Sequence, residues 1–359
     1  MNILHITAHM GDGAGKAIGG LAVLGSADGR DTHKILLLDE PRKMNHIDYC
    51  RDRGIEFLPR REIQTAISWA DVVVISWWGG RTMEGLLDNF PAIPCRVLLW
   101  SHKNGFYDPP LPEELVNQSD QLLVTSPITL TNPRWKEGTL VYGFGSFDPI
   151  TVIPKESYAL SPLKFVIGYV GMPSYKRFPA NATDYFKAVL KEVPSAQFVL
   201  GGEYSDEFQF SIEQEGLSSH VTLLGWVGNV YDLLQTFDVF GYLLREDTSA
   251  TTENSVLEAM AAGLPIVMPR KPVGRYVVGE NNGFLVETPE GFACAMKKLY
   301  DSESLRREKG LAGRAYVLKT YDSTTNLQRF RDACDRAISH PKFIHYFGGN
   351  PYGYCCTEL

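Results

Sequence analysis

Residues 251–269, TTENSVLEAMAAGLPIVMP, set two carboxylates at the start of a helical stretch that ends at a glycine and runs into an apolar strand. Glu253 and Glu258 offer acceptors that suit sugar hydroxyls, and amides at the start of such a helix favour an anion. Thr251 and Thr252 are suited to cap it. An activated sugar presents both groups, although the stretch also reads as a plain amphipathic helix with two solvated glutamates. A second set follows the apolar run FVIGYV: Gly171-Met172-Pro173-Ser174-Tyr175-Lys176-Arg177 carries two cations just past a strand end. These suit a diphosphate, or else form a solvent-facing basic pair. Near the N-terminus, Gly11, Gly13, Gly15 and Lys16 make a glycine-rich turn suited to approach an anion or a bulky substrate, with a simple strand-to-helix turn as the plainer alternative. This turn is not a P-loop, because Met10 and Ala17 stand where a glycine and a hydroxyl are needed. Nor is it a dinucleotide fingerprint, whose third glycine would fall at Lys16.

Such residues need elements to position them. Short runs rich in Val, Ile or Leu at 3–7, 34–38, 71–76, 96–101 and 121–125 alternate with helical or loop-like sequence, including a helix over 16–24. That rhythm predicts a parallel, doubly wound sheet whose ligands sit beyond the carboxyl ends of the strands. Residues 7–16, 76–81 and 101–107 are then expected to line one crevice. Three prolines break the alternation over 148–163. It resumes with strands at 165–170, 197–200, 221–224, 239–243 and 265–268 and helices at 185–190, 230–236, 255–262 and 292–300. The fold class is α/β, with two doubly wound, Rossmann-like domains at 1–150 and 151–321 whose parallel sheets face each other across a cleft. A length of 359 residues agrees, since single cores tend to split beyond roughly 250–300 residues.

Composition excludes several classes. A net charge of −7 argues against a general nucleic-acid binder. Six basic residues between Arg42 and Arg61 are interspersed with Asp48, Asp52 and Glu56, which favours a solvated surface over a phosphate or membrane patch. Cysteines at 50, 95, 294, 334, 355 and 356 show no zinc-site spacing and are expected as reduced thiols, without a structural metal. No run reaches the roughly 20 apolar residues of a membrane span, and the N-terminus lacks the pattern of a secretory signal. A cytoplasmic protein is expected, with peripheral contact at the inner membrane surface left open.

The order of the segments resembles the retaining, GT-B-fold nucleotide-sugar glycosyltransferases of family four, the group 1 glycosyltransferases. The resemblance is carried by GDGAGKAIGGLA, SHKNG, QSDQLLVTSP, YVGMPSYKR, LLGWVGNVYDLLQTFDVFGYLL, ENSVLEAMAAGLPIVMP and NNGFLV, and covers about residues 1–321. It implies a metal-independent, retaining transfer from a UDP- or GDP-sugar to an acceptor hydroxyl of a sugar, lipid-linked glycan or small molecule, in glycan, polysaccharide or glycoconjugate synthesis. The first domain would bind the acceptor and the second the donor. A helix to about residue 338 would return to the first domain, ahead of an aromatic, glycine-rich tail over 339–359. The resemblance makes His102 the active-site histidine that orients donor and acceptor, with Lys176 a phosphate-binding cation assisted by Arg177, Lys16 and the turn at Gly13 and Gly15. The base would lie against Gly225, Trp226 and Val227. Glu258 would accept from ribose hydroxyls beside Asn254 and Ser255, and Glu253 would contact the donor sugar.

Two positions depart from the pattern: Met172 replaces the usual arginine, and Ala250 stands where the first of two glutamates usually falls. Glu253 and Glu258 are five residues apart, about 140° around a helix, so they share a face only if Glu253 precedes the regular helix. No Asp-x-Asp triplet of the metal-dependent transferases occurs. His102 also reads as a structural histidine, Trp226 as core, and Trp77 and Trp78 as either a sugar platform or a buried pair, with His9 a weaker candidate for acceptor contact. Two other functions stay open: a GT-B nucleotide-sugar epimerase or hydrolase, and a non-catalytic sugar-nucleotide binding protein.

Overall fold

The computed structural model describes residues 1–11, 13, 15–41, 43–143, 152–160 and 164–347. Residues 148–151 and 161–163 of the proline-rich break, including the boundary placed at 150/151, lie outside them, as do Arg42, Cys355, Cys356 and the tail from 348. The chain divides into two compact units, Met1–Asp148 with Ser323–Leu359, and Pro149–Asp322.

The first unit holds seven strands: β1 (Asn2–Thr7), β2 (Thr32–Leu37), β3 (Glu56–Pro59), β4 (Val72–Trp77), β5 (Val97–Ser101), β6 (Gln121–Val124) and β7 (Thr139–Leu140). They pair in parallel in the order β3-β2-β1-β4-β5-β6-β7. Every residue of β4 and β5 is buried. That is why VVVISW and VLLWS read as unbroken apolar runs: helices cover both faces of a parallel sheet. The chain winds outward from β1 through β2 to β3, then returns to place β4 on the other side of β1. The carboxyl ends of β1 and β4 therefore flank the point where strand order reverses.

The long helix Ser323–Ile338 belongs to this unit. Asn326 brackets Tyr142, accepting from its amide at 2.7 Å and donating to its carbonyl at 3.1 Å. The Arg331 guanidinium spans Asp31 at 2.7 Å and Asp28 at 2.8 Å and is itself buried. Phe330 packs on two buried histidines, His5 and His33, whose Nε2 and Nδ1 atoms lie 2.9 Å apart.

The second unit holds β8 (Phe165–Val170), β9 (Ala196–Gly201), β10 (Val221–Gly225), β11 (Val239–Gly241), β12 (Ile266–Pro269) and β13 (Gly283–Val286), parallel in the order β10-β9-β8-β11-β12-β13. Here the order reverses between β8 and β11. The carboxyl ends of β8, β9 and β10 are knitted by glycines. Gly171 donates to the Gly201 carbonyl at 2.9 Å and Gly202 to the Gly225 carbonyl at 2.7 Å. With φ at 125°, Gly202 approaches so closely that a Cβ there would lie 1.6 Å from the Gly171 oxygen.

Candidate functional site

In the second unit the chemistry-bearing side chains gather at the reversal of strand order. Tyr169 sits near the end of β8 and Tyr242 just past β11, and their rings stack at 5.1 Å. Between them and the segment before the helix Asn254–Ala261 lies an ion pair: Arg177, from the loop after β8, donates through Nη2 to Oε2 of Glu253. The Tyr242 hydroxyl donates to the same oxygen and accepts from Arg177 Nη2 at 3.1 Å. Burial, reinforced by the Glu253 charge, pushes the Tyr242 phenol well above its ordinary pKa, so it remains a donor. The Glu253 charge likewise holds Arg177 firmly protonated.

Glu253 occupies an unusual backbone conformation. Its φ of 51° lies in the left-handed region, and it is the one non-glycine there among the described residues. It stands at the N-cap position, before the regular helix, so the two glutamates need not share a helical face. Thr251 and Thr252 do not cap this helix, contrary to expectation: no side chain does, and Thr252 is buried. By contrast, Ser205, Asn229, Thr288 and Ser302 each cap the helix that follows them. Asn254 and Ser255 form the half-buried first turn. Glu258 is 2 % exposed on the inner face, near enough to Tyr231 for its charge to add to the burial that raises that phenol's pKa. Tyr231 lies in the first turn of the helix Val230–Gln235, which follows Trp226 and Val227. Trp226 is 61 % exposed, which rules out the core alternative, and Val227 is half-buried. The two neighbouring cations differ. Lys176 is exposed, whereas Arg177 alone of the pair engages Glu253.

In the first unit, His102 follows β5 and is 5 % exposed. The Trp78 ring stacks on it at 4.2 Å with planes 4° apart, and Trp100 leans on it at 4.5 Å. Burial, aided by the Lys103 charge, pushes the imidazole down to about 3, so it is neutral at physiological pH. His102 Nε2 and Trp78 Nε1 are buried and meet no hydrogen-bonding group among the described residues. The tryptophan pair is thus split: Trp77 is fully buried core, while Trp78 is half-buried and lies 6.3 Å from the exposed His9.

The glycine-rich turn is explained locally. A Cβ on Gly15 would lie 2.4 Å from both the His46 ring and the Met10 carbonyl, so packing within the unit already demands a glycine there. Gly15 opens a π-helical turn, Gly15–Gly19, which continues into the helix Gly20–Ser26. Gly13 and Lys16 are half-buried beside it, while Asp12 and Ala14 lie outside the described residues. Tyr242 and Tyr169 were not singled out from sequence. The signal available was an aromatic at the end of each strand flanking the reversal.

Comparison with known proteins bears on this geometry. The family model for glycosyl transferases group 1 matches residues 164–302, which span all six strands and the Arg177–Glu253 network of the second unit. Over these residues the chain is similar to the group 1 glycosyl transferases. EpsD of Bacillus subtilis (strain 168), which carries a provisional glycosyltransferase name, is 32 % identical over 145 residues, 38 % of this chain and 37 % of EpsD. The chain thus aligns with little more than a third of that relative's length. Among solved structures, HepE of Anabaena in complex with UDP-glucose superposes with a TM-score of 0.74 at 15 % identity over 93 % of this chain and 99 % of its own. A glycosyltransferase from Rickettsia africae ESF-5 gives 0.70 at 12 % identity over 94 % and 99 %. At such identities the likeness is one of fold, and it extends the group 1 match in the second unit to a two-unit GT-B chain.

Proposed function

We propose that this protein is a glycosyltransferase that moves a sugar from a nucleoside-diphosphate sugar, a UDP- or GDP-sugar, to an acceptor hydroxyl with retention of configuration and without a metal ion. The observation that carries the reading is the Arg177–Glu253–Tyr242 network at the reversal point of a group 1 glycosyl transferase unit. A sugar diphosphate needs a cation for its leaving group and acceptors for its hydroxyls, and that network supplies both within one hydrogen-bonded cluster. Arg177 and Lys176 neutralise the diphosphate with the uncapped amides of Asn254 and Ser255, so that charge growing on the leaving oxygens meets preorganised donors. Glu258 accepts from the ribose, Trp226 and Val227 flank the base, and Glu253 contacts the donor sugar. In the first unit His102 is the catalytic histidine, acting as a neutral hydrogen-bonding group, and Gly13, Gly15 and Lys16 lie in the turn after β1. HepE, which shares the fold, is described in complex with UDP and UDP-glucose.

Among the described residues no group of three His, Cys, Asp or Glu side chains could hold a metal ion. The acceptor is a sugar, a lipid-linked glycan or a small molecule. Among the described residues no helix is long and apolar enough to cross a membrane. The direct test is a thermal-shift panel of UDP-, GDP- and dTDP-sugars, followed by acceptor screening with the responding donor in EDTA and NMR of the product's anomeric proton. No shift with any donor sinks the donor site, an inverted anomer sinks retention, and activity lost in EDTA but restored by a divalent ion sinks the metal-free reading.

A further inference from the structure

The surroundings of His102 do more than bury it. One face of the imidazole is covered by Trp78 in a near-parallel stack, and Trp100 leans on the ring as well. Trp100 is fixed core: it is fully buried and its indole donates to the Val141 carbonyl at 3.1 Å. Trp78 differs. It is half-buried at the carboxyl end of β4, next to the reversal of strand order, and its indole nitrogen meets no acceptor among the described residues. An indole N–H and an imidazole nitrogen lie buried side by side with unused hydrogen-bonding capacity, a costly arrangement unless a ligand completes it.

We propose that Trp78 is a positioning residue, which holds His102 in a dry aromatic slot as a neutral hydrogen-bonding group. This rests on the reading of His102 as a site residue. A charged imidazole could only donate, whereas the neutral ring keeps one accepting nitrogen beside a donor. Among the described residues the charge that acts on it is Lys103 on its own loop, and the exposed His9 lies beyond Trp78. Lys103 opposes protonation of the ring, in the same direction as burial. Removing the indole admits water to one imidazole face and so relieves the larger of the two effects.

The test follows the ring directly in the full chain, labelled with 15N-histidine, its His102 signal assigned through His102→Gln. In the wild type and in Trp78→Phe, which keeps a stacked ring, His102 does not titrate above about pH 4.5. In Trp78→Leu its midpoint rises to about 5–6.5. UDP release from UDP-glucose then gains an acid limb in Trp78→Leu that is centred on the His102 midpoint and reaches about a tenfold fall between pH 7.5 and 5.5 when that midpoint is 6.5, which Trp78→Phe lacks. A wild-type His102 that titrates near its free value overturns the proposal, as does a Trp78→Leu ring that stays silent; a Trp78→Leu ring that titrates without an acid limb sinks the reading of His102 instead. Should Trp78→Leu not fold, Trp78→Met opens the same face with less loss of volume. If the titrations behave as stated while His102→Gln releases UDP at the wild-type rate, the reading of His102 fails and the positioning by Trp78 stands.

Discussion

A glutamate with φ at 51° pays a backbone penalty of about 1–3 kcal/mol that alanine would share and glycine would not. At Glu253 that penalty is offset by two hydrogen bonds to one carboxylate oxygen, from Arg177 and Tyr242. Urea unfolding therefore separates the two contributions: Glu253→Gly is expected to be about 1 kcal/mol more stable than Glu253→Ala. Equal stabilities would show that the backbone is relaxed. The carboxylates also divide by ligand. Glu258→Ala should weaken UDP binding by about 10-fold or more by titration calorimetry, the loss of a charged acceptor. Glu253→Ala should change UDP affinity only a few-fold while reducing discrimination among UDP-sugars; equal effects on UDP would refute that division. The offset of Glu253 from the helix was legible in its five-residue spacing from Glu258. The choice between Lys176 and Arg177 was not, because neighbouring residues in a loop have no period to say which one turns inward. Tyr242 stayed hidden for a related reason: a tyrosine closing an apolar run reads as core until its hydroxyl is seen to reach a carboxylate.

At the scale of elements, the strand-end glycines hold the second unit's loops in place. Gly202→Ala combines a φ of 125° with a Cβ driven into the Gly171 carbonyl, so it should cost at least about 2 kcal/mol in urea unfolding and weaken UDP binding with it. An unperturbed Gly202→Ala would mean the loops pack more loosely than drawn. In the first unit, His5 and His33 are both held below their ordinary pKa, burial being the largest cause, with His33 at about 3. Their folded values lie below the unfolded value, so the unfolded chain binds more protons and stability falls as pH drops below about 6.5. The slope is about 1.4 kcal/mol per pH unit for each ring that stays neutral when folded. Urea midpoints that stay flat from pH 7 to 4.5 would contradict this. The strands of both sheets were legible where the chain is buried on two faces, as in VVVISW. They were not at the margins: Glu56 and Pro59 disguise β3, an edge strand of four residues, and β7 has only two.

For the molecule as a whole, a ligand that binds only the folded state raises apparent stability by about 2.7 kcal/mol at a hundredfold excess over Kd. UDP should therefore shift the unfolding of the unit holding residues 164–302, and hydrogen exchange should show protection at residues 171–178 and 251–258. Protection confined to the first unit would move the donor site there. The two-unit organisation was legible in the repeated strand-and-helix rhythm, whereas the return of the last helix to the first unit was expected from the family resemblance alone, because amphipathic periodicity shows that a face is buried without showing against what.

That helix, Ser323–Ile338, carries a consequence for biosynthesis. Arg331 closes on Asp31 across 300 residues of chain, and Phe330 covers His5 and His33. Of the two units, the one translated earlier is thus completed later: β1 to β7 emerge from the ribosome with one apolar face only partly roofed, and must wait while the whole second unit is synthesised and folds. A nascent chain arrested before residue 323 should bind holdase chaperones through its N-terminal part, and release should coincide with the emergence of Phe330 and Arg331.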